Sequence, residues 1–153
     1  MAVAYENIFY DYVMSPMRNL LFDEFNYGKI YIAPNILHLD NFSIRIWGDS
    51  IETVETLSST WQKQYNLGIS LYCIEKNPQE NFYKQFYGDI ERIYQLLFDN
   101  CKVVATTSDS ITHTWIDGVC ESFLINDFEE GEEEVEGLNV CKFNFNCKVM
   151  RHS

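Results

Sequence analysis

A nine-residue run near the C-terminus constrains the fold more than any other part of the chain. From Cys141 to Val149 the residues alternate: Cys141, Phe143, Phe145, Cys147 and Val149 fall on one face, and Lys142, Asn144, Asn146 and Lys148 on the other. A period of two over this length is the pattern of a half-buried strand. A second, longer alternation runs from Trp61 to Ile74, with Trp61, Lys63, Tyr65, Leu67, Ile69, Leu71 and Cys73 on one face. A shorter one, Phe42 to Trp47, sets Phe42, Ile44 and Ile46 against Ser43 and Arg45. Gly48-Asp49-Ser50 then supplies turn chemistry that predicts the end of that strand. These two runs are expected to pair antiparallel.

Two segments carry helical spacing instead. Tyr5, Phe9, Tyr12, Val13, Met17, Leu20 and Leu21 recur at steps of three and four within residues 5–25. Ser15-Pro16 interrupts them, which fits either one kinked helix or a turn followed by a helix capped at Ser15. Asn77-Pro78 is a helix-start signal, and Phe82, Phe86, Ile90, Ile93 and Leu97 mark one face as far as Asn100. The last unit reads as a hairpin, with a first strand over 114–126 broken at Asp117-Gly118 and a second over 138–149. In the connector from Tyr27 to Asp40, Ile30-Tyr31-Ile32 is compatible with a short edge strand. Ile51 to Ser59 reads as a polar connection, and Cys101 to Val104 is ambiguous. The expectation is an α+β domain spanning residues 1–153: an antiparallel sheet of about four strands packed by two helices. Its order is α-β-β-α-β-β, over 5–25, 42–47, 61–74, 79–100, 114–126 and 138–149, with a long C-terminal hairpin.

The hairpin tip concentrates charge. Asp127, Glu129, Glu130, Glu132, Glu133, Glu134 and Glu136 are seven of the chain's 23 acidic residues, with no base among them. Repulsion at that density predicts a mobile loop. Eleven basic residues leave a net charge of −12, which argues against gripping nucleic acid by its phosphates. The same charge is compatible with letting DNA slide past, because a negative wall repels phosphate.

No motif for chemistry stands out. His38, His113 and His152 are far apart and are expected in loops or at the terminus, so no metal site is expected. His113, Asp117 and Cys120 are close in sequence, but nothing around them resembles a nucleophile motif. The seven glycines form neither GxGxxG nor a P-loop. Asp89 and Glu91 are read as part of a solvated helix face. Five cysteines without CxxC spacing suggest reduced, buried thiols in a cytoplasmic setting. The N-terminal stretch lacks the basic region and continuous apolar run of a secretory signal, and no apolar stretch approaches a membrane span. No catalytic residue and no cofactor are expected.

The element order resembles the tail-terminator and head-to-tail joining proteins of long-tailed bacteriophages. The segments that carry the resemblance are WQKQYNLGISLYCI, ENFYKQFYGDIERIYQLLFDN, the WIDG turn at Trp115 to Gly118, and CKFNFNCKVM. The acidic loop and the connector at 28–40 have no counterpart in it. The resemblance implies a non-enzymatic structural protein of the virion tail or neck, assembled in the host cytoplasm, whose homo-oligomeric ring is expected to be a hexamer. That ring would cap the tail tube protein and join it to the head–tail connector protein, with DNA passing through unbound and no membrane involved. The acidic loop would line the channel or face outward. Trp61, Tyr65, Phe143 and Phe145 are the candidate inter-subunit strand contacts, because long strands can extend pairing onto a neighbour's sheet edge. Two other classes were weighed. A homing endonuclease would need a paired acidic helix-end motif and a basic sheet face, and neither is present. A ferredoxin-like small-molecule or regulatory binding module would need an apolar pocket with a few convergent polar groups.

Overall fold

The computed structural model describes residues 2–26, 29–33, 41–56, 61–106 and 112–152, with side chains except at 54–56, 61, 62, 106 and 152. After an irregular stretch, the chain turns helical at Ile8 and passes through a π-helical turn, Tyr10–Met14, that continues without a break into α1, Ser15–Glu24. Phe9, Met14 and Ser15 all hold right-handed helical dihedrals, so the segment is one helix. Pro16 sits in the first turn of α1 and has no N–H to donate. The wider π turn, closed by Ser15 N–H on the Tyr10 carbonyl, lets the helix pass this point. Val13, Met17, Leu21 and Phe25, four residues apart, are fully buried.

Six strands follow: β1 (Lys29–Ile32), β2 (Phe42–Thr56), β3 (Trp61–Ile74), β4 (Val103–Thr106), β5 (Thr112–Ile125) and β6 (Leu138–His152), with α2 (Glu80–Asp99) between β3 and β4. They form one sheet in the order β1-β2-β3-β6-β5-β4, curled into a half-barrel. The β1–β2 pair is parallel and every other pair antiparallel. Ile44 and Ile46, Leu67 to Leu71 in alternation, Cys141 to Cys147 in alternation, and Trp115 line one face. Against it lie the apolar stripe of α1 and Phe86, Ile90, Ile93 and Leu97 of α2. Each large side chain buried here contributes about 1.5–3 kcal/mol, so this face holds the domain together. Arg92 of α2 reaches the carboxylate and carbonyl of Glu24, stacks over Phe25, and so ties the two helices at one end.

The expected four-stranded antiparallel sheet in the order α-β-β-α-β-β is therefore corrected. The sheet has six strands and is mixed, and strand dominates over helix. β1 and β4 have four residues each, too few for alternation to separate strand from loop. β2 does not stop at Gly48-Asp49-Ser50. A bulge between Gly48 and Ser50 absorbs the turn residues, and the ladder with β3 resumes as far as Thr56. Asp117-Gly118 likewise falls at an irregularity, where β5 skips from Ile116 to Val119 in its pairing with β6. Asp117 takes a positive φ of 54° there.

Candidate interaction surfaces

The acidic tip is built around one inward-turned carboxylate. Asn126, at φ 55°, turns the chain out of β5, and its side-chain oxygen accepts the Val140 N–H at 2.9 Å. A 3-10 turn at Glu132–Glu134 then brings Glu132 under the loop, where only 9 % of it is exposed. Its Oε1 accepts the Glu129 N–H at 2.6 Å and faces Lys142 Nζ at 3.1 Å. Lys142 also reaches Glu129 Oε1 at 3.4 Å. Beneath them, burial pushes the Tyr72 hydroxyl up to about 12, with Glu132 adding to the shift. One lysine thus anchors two of the seven carboxylates, which the repulsion argument alone did not anticipate. Asp127, Glu130, Glu133, Glu134 and Glu136 stay exposed as a cap of like charge. Gly137, at φ +78°, closes the loop so tightly that a Cβ would lie 2.5 Å from the Glu75 carbonyl oxygen.

Three of the four candidate strand contacts are turned into the chain's own core. Tyr65, Phe143 and Phe145 are buried in the chain's own core, at 3 %, 1 % and 1 % exposure. Their strands, β3 and β6, lie at the centre of the sheet with both edges paired. The side chain of Trp61 lies outside the described residues. The open edges are elsewhere. Among the described residues, β2 has a strand on its outer edge only along Ser43–Ile46, from β1, and β5 only along Thr112–Trp115, from β4. The outer edge of β5 from Val119 to Ile125 has no strand beside it among the described residues, and its Phe123, Leu124 and Ile125 are 37 %, 52 % and 46 % exposed. An apolar edge of this kind is a template for pairing.

A buried histidine was not foreseen. His113 belongs to β5, not to a loop, and is fully buried under Tyr12, whose ring stacks on it at 3.7 Å. Its Nε2 lies 3.0 Å from Glu6 Oε2, and Arg151 of β6 approaches the other oxygen of Glu6 at 3.5 Å. The cluster pins the N-terminal segment to the end of the sheet. Glu6 and His113 are 107 residues apart, so no local pattern could have paired them. His113 is not joined to Cys120: it pairs with Arg151 in the ladder and Cys120 with Phe145. Burial pushes the Cys120 thiol up to about 11, so the thiol stays protonated and unreactive at neutral pH. Asp89 is buried rather than solvated. It accepts a hydrogen bond from Gln85 at 2.9 Å, and burial raises its carboxyl.

Among the described residues no group of three or more His, Cys, Asp or Glu side chains is placed to hold a metal. No described helix is long and apolar enough to cross a membrane. A shallow groove of about 320 Å³ runs between the helix and β4, lined by Asp11, Ser15, Asn19 and Asp23 on one wall and Val103 to Ala105 on the other. The chain matches no protein-family model and no curated protein.

Proposed function

We propose that the chain is a structural protein of the phage neck or tail, whose copies form a ring, taken as six-fold, that caps the tail tube and joins it to the head connector. The observation that supports this reading is the pair of long strands, β2 and β5, on opposite sides of one sheet, each flanked by an outer strand along only part of its length among the described residues. Two different open edges on one subunit suit heterologous contacts, the type that closes into rings. The exposed carboxylates of the hairpin tip suit a wall past which DNA slides, since like charge repels phosphate. The ring acts by geometry: one face stops tube growth and the other docks on the connector.

Electron microscopy of purified tail tubes mixed with the chain tests the reading. The expected result is density capping tube ends, and bare ends at saturating concentrations would contradict it. One observation favours a second reading, a small-molecule or regulatory binding module: the groove beside β4, where Leu20, Val103, Val104 and Ala105 face the polar side chains of Ser15 and Asn19. Saturable binding of a small ligand by a monomer, competed by substitution of Asn19, would favour that module.

A further inference from the structure

The two unfinished edges of the sheet fit each other. β2 and β5 run in opposite directions, and among the described residues each is flanked by an outer strand over its first residues only, so the unflanked halves lie at diagonally opposite corners. One side of the subunit therefore presents β4 as a step beside a recess at Val119–Ile125. The other presents β1 as a step beside a recess along the rest of β2.

The register shows how the steps and recesses align. Three rows can be traced across the ladder: Ile30–Ile44–Leu71–Cys141–Ile125, Tyr31–Arg45–Ser70–Lys142–Leu124, and Ile32–Ile46–Ile69–Phe143–Phe123. The step at β1 and the recess at β5 thus occupy the same rows on opposite sides of the sheet. Rotation about an axis along the strands carries one copy onto the next without shifting it along them. Such a rotation brings Ile30, Tyr31 and Ile32 of one copy beside Ile125, Leu124 and Phe123 of its neighbour, apolar against apolar on both faces of the sheet. β1 runs parallel to β2 and so antiparallel to β5, which allows a hydrogen-bonded ladder.

The other step matches by charge. Another row runs Glu52–Gln64–Lys148–Ile116. β4 begins at Val103, which pairs with Trp115, and continuing that register by one residue sets Lys102, in the bend before β4, level with Ile116. The same rotation sets the exposed Lys102 against the exposed Glu52 of the neighbour.

We propose that the seam between copies is a sheet extension in which β1 fills the recess beside the neighbour's β5 while the neighbour's β4 fills the recess beside β2. The occupant of each recess is a second copy of this chain. The proposal rests on the ring reading for the presence of a neighbour and adds which surfaces meet.

The seam can be trapped covalently. Cys101 is an exposed free thiol, and its carbonyl accepts the Gly118 N–H at 2.9 Å, which holds it along the same edge. Ile51 pairs with Tyr65 and Tyr65 with Cys147, one row from Glu52; that row meets β5 at its Asp117-Gly118 irregularity, where Gly118 bonds Cys101, so Ile51 and Cys101 fall at about the same height. Mild oxidation of assembled I51C is expected to give a ladder of disulfide-linked multimers on a denaturing gel, abolished by adding Cys101→Ser. Lys102→Glu and Glu52→Lys are each expected to weaken assembly by about ten-fold through like-charge contact, and the two together to restore it. Thermal unfolding of each monomer checks that both exposed substitutions leave the fold intact. An assembled ring that gives no ladder and ignores both reversals overturns the seam and leaves the ring reading standing. A chain that stays monomeric both alone and on tail tubes overturns both.

Discussion

β5 and β6 are the two arms of one hairpin and nearly equal in length, yet they dispose of their side chains differently. Along β6, burial alternates from Cys141 to Cys147, because β3 and β5 flank it and the helices cover one face. Along β5, His113 to Trp115 are buried, whereas every residue from Glu121 to Ile125 is exposed. The change follows the end of β4, whose last contact in that direction is at Trp115. Alternation thus tells which face of a strand is apolar, while the neighbouring strand decides whether that apolar face is used. β5 keeps apolar residues, Phe123 to Ile125, that stay partly exposed where no described strand flanks them.

The largest effect should come from cutting into each arm at one row. Phe143 and Phe123 are register partners with ring centroids 5.7 Å apart. Phe143→Ala is expected to cost about 3–5 kcal/mol in urea unfolding, because it opens a cavity in a fully packed core. Phe123→Ala should cost about 1 kcal/mol, since part of its surface is already in water. It should act on assembly instead. Equal losses of stability would erase the distinction between the arms.

The loop that joins the arms sharpens the comparison. Gly137 and Gly131 both hold positive φ, but only at Gly137 would a Cβ strike backbone. Gly137→Ala is expected to cost about 2–4 kcal/mol from strain and displacement together, and Gly131→Ala about 1 kcal/mol from strain alone. Unfolding midpoints of the two variants check the order. Next comes the charge at the tip. Glu132→Gln should lose about 1–3 kcal/mol, because it leaves Lys142 short of its buried partner. Glu133→Gln should change stability by no more than about 0.5 kcal/mol.

At neutral pH the thiols have the smallest effect, because folded and unfolded chains both keep them protonated, and their contribution shows only in alkali. Burial pushes Cys141 and Cys147 on β6 up to about 12, and Cys120 on β5 to about 11. The unfolded chain would release these protons near the ordinary value of 9, where the folded chain keeps them. The folded state then binds more protons, so stability is full below about pH 9 and declines as the pH rises toward the folded values. Urea midpoints across that range check the sign. A thiol reagent applied near neutral pH is expected to label exposed Cys101 first.

The strands with long patterns were legible in the sequence. The alternation from Trp61 to Ile74 coincides with β3, and the apolar steps from Phe82 to Leu97 lie within α2. Their faces follow from period alone, and so does the buried row Cys141–Phe143–Phe145–Cys147. The number of strands did not follow, because β1 and β4 are shorter than one clear alternation. Nor did the full length of β2, because Gly48-Asp49-Ser50 carries the same chemistry in a bulge as in a turn. Strand order was out of reach as well: β3 lies against β6 across 11 paired rows that no local signal specifies. For the same reason, the sequence pattern alone does not show that Tyr65, Phe143 and Phe145 are buried within their own chain. They are the aromatic residues of a strand face, and only the order of strands shows that the face is interior. The acidic tip was legible as charge, but the Glu132–Lys142 anchor inside it was not, because it depends on β6 passing beneath the loop.

The most direct test of the ring is mass in solution by light scattering, on the chain alone and then with purified tail tubes. A discrete multimer, six-fold if the proposed ring is right, is expected either free or captured at tube ends. A persistent monomer that ignores the tubes would contradict it.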